Sequence, residues 1–338
     1  MRAALLGASL CAGVASAALG QQAFLLIPDW RNDRICALSP VDGSVINANF
    51  IPTNPQLFDS PKHALPTPLG TILVSDQVKD AIYEFDGFGN YLRTIVNLQN
   101  NGVDNIRGIA IRAGKLYVTV GSGVHANTIQ RFNLDGTGQE TFIGTGRLNS
   151  PFGIFFRESD LLVTNSGSHL IQRFDSNGVF LNTWVGTTIR FPQQITRRRS
   201  NGNLLVAGFS SPAGVYEYTE AGVLVRYYPV GAPRGAYELE NGLILFTDGT
   251  GVKVFDPNAP DPAATIQTLL GDGNYQYIEL YEVLAGDVNR DRCVNNADLL
   301  EVLFAFGQSG GRADVNSDGT VNNADLLLVL FNFGNGCE

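Results

Sequence analysis

The sequence has little charge, one methionine and few histidines. Only 16% of its 338 residues are charged, and histidine occurs three times. Helical periodicity is scarce over most of the length, which argues against a helical protein and favours an all-β fold. The formal net charge is −9, and an acidic chain of this kind is a poor candidate for binding nucleic acid.

Several catalytic and metal-binding patterns are missing. Residues 21–284 contain no G-x-S-x-G motif, and no Ser/His/Asp set can be picked out. The three histidines are His63, His125 and His169. They lie far apart in the sequence and show no regular spacing, so they do not predict a zinc site. The sequence therefore leaves open whether the protein is an enzyme.

Long apolar runs are confined to the N-terminus. "MRAALLGASLCAGVASAALGQQ" has a basic residue, Arg2, then an apolar run and the small residues of Ala15–Ala17. This pattern predicts a signal peptide over residues 1–20 and export of the mature protein, either secreted or held in a cell-surface complex. No other stretch is apolar enough to span a bilayer.

Cysteine is rare as well. Removal of the signal peptide leaves Cys36, Cys293 and Cys337. Outside the cytoplasm a disulfide between Cys293 and Cys337 is permitted. It would join the acidic segment around Cys293, described below, to the last residues of the chain. Cys36 is then predicted to be a buried free thiol.

A strand-like repeat fills the first three quarters of the chain. An apolar segment ending in a small or polar residue begins at positions 25, 72, 116, 161, 204 and 244, with intervals of 40 to 47 residues. Other strand-like segments precede and follow each copy, and a period in the forties with several short strands per unit is typical of propeller blades. The first copy lacks a preceding strand, and residues 274–283 form a spare strand that would complete it. The sequence therefore predicts six blades over residues 21–284, closed by strands from both ends.

The fourth copy, "LNSPFGIFFRESDLLVTNSGSHLIQRFDSNGVFLNTWVG", closely resembles an NHL repeat. The propeller as a whole is similar to the NHL and SMP-30/gluconolactonase group of six-bladed propellers. The metal-binding motifs of gluconolactonase-like enzymes, which resemble "PNDG" and "PDG", are missing here, and this weakens a lactonase interpretation.

Polar residues recur where such propellers place ligand sites, at the start of each first strand and after each second strand. If these residues share one mouth of the central channel, the basic ones would form a ring that holds an anionic ligand such as a uronate. The Asp and Asn residues would then bind hydroxyls or a metal. The candidate channel residues are Asp29, Lys62, His63, Asp76, Arg107, Asn165, Gln194, Arg234 and Asp248. The competing interpretation is that most of these are repeat-encoded turn and edge residues.

The tail carries two copies of an acidic loop, offset by 27 positions between Asp287 and Asp314. Alternate oxygen-bearing residues around a tight turn suit Ca²⁺, so the spacing predicts two calcium sites. The predicted ligands are Asp287, Asn289, Asp291, Cys293, Asn295 and Asp298 in loop one, and Asp314, Asn316, Asp318, Thr320, Asn322 and Asp325 in loop two. The seventh position, Cys293 or Thr320, would offer its backbone carbonyl. Arg292 stands where loop two has the turn glycine Gly319, so loop one is predicted to be the weaker or more strained site.

Each loop runs straight into one predicted helix, and "DVNxDGxVNxxD" followed by that helix resembles a type I dockerin over residues 285–338. The resemblance implies calcium-dependent folding and binding to a cohesin module. Carried onto this sequence, the partner face includes Asn296, Ala297, Asn323 and Ala324, together with the helices. Both copies read "NNADLL", which suggests two docking modes related by a half-turn.

Two functions of different class follow. In one, the propeller is a non-catalytic recognition module, with a possible carbohydrate ligand, attached through the dockerin. In the other, it is a hydrolase or lyase acting on a polysaccharide or a lactone, targeted in the same way. The resemblance to dockerins supports the second, because dockerins commonly accompany carbohydrate-degrading enzymes. The lack of assigned catalytic residues favours the first.

Overall fold

The computed structural model describes residues 23–186, 188–316 and 318–337. The predicted signal peptide lies outside these residues. The described chain divides into two compact units, one of residues 23–283 with 290–292 and the other of residues 284–289 with 293–337. No helix in the described ranges is long and apolar enough to cross a membrane.

The first unit is a β-propeller. Its described residues form six four-stranded antiparallel sheets, numbered here as blades in chain order. Blade 1 contains β1 (Ala23–Asp29), β2 (Arg34–Leu38), β3 (Val45–Ile51) and β24 (Glu279–Glu282). Blade 2 contains β4 (Pro61–Pro66), β5 (Ile72–Asp76), β6 (Ala81–Phe85) and β7 (Tyr91–Asn97). Blade 3 contains β8 (Asp104–Arg112), β9 (Lys115–Ser122), β10 (Thr128–Asn133) and β11 (Glu140–Ile143).

The remaining blades follow the same order. Blade 4 contains β12 (Pro151–Phe156), β13 (Asp160–Asn165), β14 (Leu170–Asp175) and β15 (Phe180–Val185). Blade 5 contains β16 (Pro192–Arg197), β17 (Leu204–Gly208), β18 (Gly214–Tyr218) and β19 (Leu224–Pro229). Blade 6 contains β20 (Gly235–Glu238), β21 (Ile244–Thr247), β22 (Gly251–Phe255) and β23 (Gln267–Gly271). A short helix, α1 (Leu98–Asn101), follows β7.

The ring closes as predicted. Strand β24 pairs antiparallel with β1, with Leu280 opposite Leu25, and an isolated bridge joins Tyr275 to Asp29. The spare strand therefore supplies the first strand that the N-terminal copy lacks. This pairing covers an edge of each segment that would otherwise expose unpaired backbone groups.

The core lies between neighbouring blades. Along β1, Leu25 and Ile27 pack in a cluster with Leu245 of blade 6, whereas Leu26 packs in a cluster with Val74 of blade 2. Successive side chains of a strand point to opposite faces of its sheet, so blade 1 contacts both of its neighbours. This alternation explains why the central strands read as almost continuous apolar runs.

The second unit contains two helices, α2 (Asn296–Phe304) and α3 (Asn323–Phe331), each preceded by an acidic loop. Its core is formed by a pair from loop and helix one, Val294 and Val302, and the matching pair Val321 and Val329, all fully buried. Val321 and Val329 stand 27 positions after Val294 and Val302, so the two pairs occupy equivalent positions of the repeat. Cys293 and Cys337 are joined by a disulfide, and Cys36 of the propeller is a buried free thiol.

Candidate functional site

Loop two is organised by its two end carboxylates. The oxygens of Asp314 accept hydrogen bonds from the backbone N–H groups of Asp318 (3.1 Å) and Gly319 (2.9 Å). Those of Asp325 accept from the backbone N–H groups of Asn316 (3.1 Å) and Asn322 (2.9 Å). The first and last positions of the predicted calcium loop therefore fold the chain around themselves. Asp325 is fully buried and Asp314 nearly so.

The middle positions of loop two lie in one cluster. The Asn316 side-chain amide donates to Asp318 Oδ2 at 2.9 Å, and the Asn322 amide donates to the same oxygen at 3.2 Å and to the Thr320 carbonyl at 2.8 Å. The hydrogen bond from Asn316 is the largest cause of the lowered pKa of Asp318. The side chains of the third, fifth and ninth positions and the carbonyl of the seventh are thus brought together.

Loop one repeats part of this frame. Asp298 is fully buried and accepts hydrogen bonds from the backbone N–H groups of Val288 (2.8 Å), Asn289 (3.1 Å) and Asn295 (2.8 Å). Asp287 is nearly buried as well. The sixth position adopts a left-handed backbone in both loops, with φ of +70° at Arg292 and +95° at Gly319. This conformation is strained for arginine and free for glycine, which is the difference that the sequence predicts.

Two of the predicted ligands cap the helices. The side-chain oxygens of Asn295 and Asn322 each accept a 2.7 Å hydrogen bond from the backbone of Ala297 and Ala324. Their own backbone N–H groups bond to Asp298 and Asp325, which completes a capping box at each helix. Since each capping oxygen is already engaged, the ninth position suits contact with a cation through water rather than directly.

The donor chemistry of the loops fits calcium. Each loop combines carboxylates, amide oxygens and a backbone carbonyl, which are the hard oxygen ligands that Ca²⁺ prefers. Asp298, Asp314 and Asp325 form no ion pair with lysine or arginine among the described residues, so their buried charge calls for a cation. Within the same residues, no group of three or more His, Cys, Asp or Glu side chains is close enough to hold a metal by itself.

The predicted partner face is exposed in both copies. Asn296, Ala297, Asn323 and Ala324 are all exposed. The helices and the turns after them add large apolar side chains that the sequence analysis did not name: Leu300, Leu303, Phe304 and Phe306 in the first copy, and Leu327, Leu330, Phe331 and Phe333 in the second. Phe304 and Phe331 are each 80% exposed, and the other six are each 47–48% exposed. The sequence already indicates these side chains, because Leu, Val and Phe fill most positions of both helices after the first turn.

The structure gathers the basic channel candidates of the propeller. Lys62 Nζ lies 2.9 Å from Gln193 Oε1 and 2.7 Å from Gln276 Oε1, although these two residues belong to blade 5 and to the closing segment. The Lys62 ammonium and the Arg107 guanidinium both lie over the Phe152 ring, 5.3 and 4.1 Å from its centroid. Residues from the first strands of several blades therefore meet at one place.

The four acidic and amide candidates that follow second strands anchor turns instead. Asp76 accepts backbone hydrogen bonds from Asp59, Ser60, Val78 and Lys79. Asp29 accepts from Arg34 and from the backbone of Asn274, and Asn165 from the backbone of Asn149. Asp248 accepts from Lys253 Nζ and from two backbone N–H groups. Their acceptors are occupied, as expected of turn residues.

His63 and Gln194 meet at Glu279, which the sequence analysis did not single out. Glu279 Oε1 lies 2.7 Å from His63 Nε2 and 3.2 Å from Gln194 Nε2, and His63 Nδ1 accepts from the backbone of Ile109. His63 and Glu279 border a cavity of about 340 Å³ whose walls are mainly apolar side chains of the first strands, including Ile154 and Ile195. Both ring nitrogens of the His63 imidazole therefore take part in hydrogen bonds.

These features define the class of each part. The first unit is a six-bladed β-propeller, and the second is a pair of EF-hand-like loop–helix units. Residues 285–330 match the family model of the dockerin type I domain. The chain therefore carries a type I dockerin behind its propeller, and type I dockerins bind calcium and cohesins. Comparison with curated proteins returned no match.

Solved structures share the propeller fold. A chain in the crystal structure of a nidogen/laminin complex is 15% identical and has a TM-score of 0.60, with 77% of this chain and 98% of that chain covered. A protein of unknown function from Bacteroides caccae is 16% identical with a TM-score of 0.52 over the same shares. A gluconolactonase from Xanthomonas campestris is 18% identical with a TM-score of 0.48, with 61% of this chain and 74% of that chain covered. At these identities the likeness to the first two structures concerns the fold alone.

Proposed function

We propose that this protein is a secreted recognition protein, whose propeller binds a ligand and whose dockerin attaches it to a cohesin-bearing partner when calcium is bound. The observation that carries the proposal is the dockerin match over residues 285–330, together with the two buried-carboxylate loops inside it. The N-terminal pattern of residues 1–20 supports export, and the Cys293–Cys337 disulfide suits an oxidising compartment.

Each loop is proposed to hold one Ca²⁺. In loop two the ligands would be Asp314, Asn316, Asp318, the Thr320 carbonyl and Asp325, with Asn322 acting through water. In loop one they would be Asp287, Asn289, Asp291, the Cys293 carbonyl and Asp298, with Asn295 in the equivalent role. Bound calcium would neutralise the buried carboxylates and so stabilise a unit whose own core is small.

The two apolar helix faces are proposed to be alternative docking surfaces for the cohesin. Their exposed fractions agree position by position between the copies, for example at Phe304 and Phe331. Large exposed apolar side chains of this kind mark interaction sites. Because the two faces are equivalent, either one would serve after a half-turn of the module.

We favour recognition over hydrolysis for the propeller because its candidate carboxylates are already engaged in hydrogen bonds. Asp29, Asp76 and Asp248, which a hydrolase at this mouth would use, are bound into turns by the hydrogen bonds described above. The basic and amide residues, in contrast, converge in the channel. Such an arrangement suits binding of an anionic ligand better than acid–base chemistry.

The docking proposal is tested with the full chain and purified, immobilised type I cohesin modules. Wild-type protein should be captured in calcium and released by a chelator. The Asp287→Ala/Asp314→Ala variant should lose capture, because each loop loses its first ligand. The matched control, Asp59→Ala/Glu158→Ala, removes two exposed acids of the propeller and should be captured normally. Full capture of the loop variant would contradict calcium-dependent docking.

The two-face proposal has its own test. Phe304→Asp and Phe331→Asp should each leave one intact face, so each single variant should still be captured, with its capacity reduced at most about twofold. The double variant should not be captured. Loss of capture in one single variant alone would show that docking uses one face.

A further inference from the structure

Six equivalent positions, one from each blade, converge inside the propeller. Four of them stand at or next to the start of an inner strand, each directly after a proline, as in "SPKHAL" and "APRGAYE". Their residues are Lys62, Arg107, Phe152, Gln193, Arg234 and Gln276. Contacts between Lys62 and the side chains of Phe152, Gln193 and Gln276 show that the positions meet in space. Three of the six are cations.

The three cations lie close together, with Lys62 and Arg107 buried and Arg234 partly buried. Lys62 is 2% exposed, and its ammonium bonds to neutral amide oxygens. Arg107 bonds to the Asn105 amide oxygen, the Ser150 hydroxyl and a backbone carbonyl. Among the described residues, none of Lys62, Arg107 and Arg234 forms an ion pair within 4.0 Å of an acid. Buried cations are ordinarily paired, so this cluster lacks a negative partner.

Burial of these positive charges close to one another lowers their pKa values. Burial, followed by the charges of Arg234 and Arg107, holds the pKa of Lys62 well below its usual range. Burial lowers the pKa of Arg107 to about 10 and also lowers that of Arg234. The nearby acid Asp248 opposes the shift at Arg234, but its Oδ2 is bonded to Lys253 Nζ at 2.7 Å. A bound anion would stabilise the charged form of all three side chains.

Two polar groups in the same cluster have no hydrogen-bond partner. The Tyr277 hydroxyl and Arg234 Nη1 are buried and unpartnered among the described residues. The Tyr277 ring lies 4.6 Å below Lys62 Nζ, and the side chain is 1% exposed. Burial raises the pKa of Tyr277, so the hydroxyl stays a protonated donor. Unsatisfied buried donors are rare in proteins and call for an acceptor.

An aromatic wall adjoins these donors. The Arg234 guanidinium lies 5.0 Å from the Phe209 ring centroid, Phe209 lies 5.8 Å from Phe191, and Phe191 lies 5.1 Å from Phe152. Phe191 and Phe209 are partly exposed. The wall therefore leads from solvent to the buried cations, and aromatic faces of this kind contact the flat apolar side of a ring.

We propose that this cluster is a binding site for a small carboxylate, with Lys62, Arg234 and Tyr277 as the groups that receive it. The two oxygens of a carboxylate accept several donors at once, and charge-assisted hydrogen bonds are the stronger ones. The aromatic wall suits a carboxylate attached to a ring, whether a sugar acid or an aromatic acid. This inference rests on the proposed function, since it names the ligand class that the propeller would recognise.

The test is isothermal titration calorimetry of the full chain, with calcium present and phosphate and carboxylate buffers excluded. The probes are acetate, galacturonate and benzoate, and the controls at matched ionic strength are sodium chloride and galactose. At least one carboxylate should bind, and neither control should. Binding of galacturonate alone or of benzoate alone would support the site and identify a sugar acid or an aromatic acid as the source.

Two variants and a control locate the site. Lys62→Met and Tyr277→Phe should each weaken carboxylate binding at least tenfold, whereas Arg226→Leu, on the outer strand β19, should not change it. Folding of each variant is checked by near-ultraviolet circular dichroism, and cohesin capture should stay normal in all of them. Unchanged affinity in both folded site variants would overturn the proposed site.

Failure of this inference is separable from failure of the recognition proposal. If wild-type protein binds galactose but no carboxylate, the inference is wrong and recognition stands. If a folded, cohesin-capturable protein binds none of the three carboxylate probes and does not bind galactose, the carboxylate site is excluded and the recognition role loses its support as well.

Discussion

We predict that Tyr277→Phe, which removes a buried hydroxyl, raises the free energy of unfolding. Replacing a buried tyrosine by phenylalanine ordinarily weakens a protein, because a hydrogen bond is lost. The Tyr277 hydroxyl has no partner, whereas the hydroxyl of the neighbouring Tyr275 donates to the Gly271 carbonyl at 2.8 Å. Both side chains are at most 1% exposed. The two tyrosines are therefore a matched pair that differs in hydrogen bonding.

The expected magnitudes follow from that difference. A buried polar group without a partner costs about 1–3 kcal/mol, so Tyr277→Phe should raise the free energy of unfolding by about that amount. The contact of its ring with Lys62 is kept, because phenylalanine has the same ring. Tyr275→Phe loses a satisfied hydrogen bond and should lower the free energy of unfolding by about 0.5–1.5 kcal/mol.

The assay is denaturant unfolding followed by tryptophan fluorescence, since Trp30 and Trp184 both lie in the propeller. Calcium is kept saturating, and the buffer contains no carboxylate or phosphate. A Tyr277→Phe variant as destabilised as Tyr275→Phe would refute the reasoning, because it would show that the hydroxyl is satisfied in solution. Added carboxylate should stabilise the wild type more than Tyr277→Phe.

Three further predictions concern the loops, the disulfide and pH. Arg292→Gly should relieve a left-handed strain of about 1–2 kcal/mol, less about 0.5–1 kcal/mol for glycine's flexibility, and so tighten calcium binding up to about tenfold by calorimetry; Arg292→Ala keeps the strained backbone and should not. Cys337→Ser opens a 44-residue loop and should destabilise the second unit by about 4 kcal/mol, measured by amide exchange in α2 and α3; unchanged protection would contradict this. Burial would raise the pKa of Glu217, but hydrogen bonds from Asn203 and Asn201 and the charge of Arg198 lower it below its ordinary value. Its stabilisation should be present above about pH 4.3 and be lost as pH falls through the lower folded pKa, and Glu217→Gln should flatten that acid dependence in denaturant midpoints.

Local patterns predicted much of this molecule. The interval between apolar segments indicated the number of blades, and the missing first strand at Ala23 indicated closure by a segment near Tyr281. The spacing of Asp314, Asn316 and Asp318 indicated a calcium loop for a similar reason. Each informative segment is itself a single strand or a single turn, and within it backbone geometry fixes which side chains share a side.

The channel was harder to predict. Lys62, Arg107 and Arg234 were candidates together with Asp29, Asp76 and Asp248, and nothing in their local sequence separates the two groups. The structure separates them because the acids satisfy backbone N–H groups of adjoining loops, whereas the cations meet across blades. Glu279 was not predicted, because its partners His63 and Gln194 are 216 and 85 residues away.

The sequence by itself determined the repeat, the paired acidic loops and the two identical helix starts, because these depend on contacts between residues close along the chain. Only the tertiary structure decided that three cations share one buried cluster with the unpartnered hydroxyl of Tyr277. Ring closure brings residues more than 200 positions apart within hydrogen-bond distance, as at Lys62 and Gln276. No local pattern encodes such a meeting, since it depends on the number and curvature of all the blades between them.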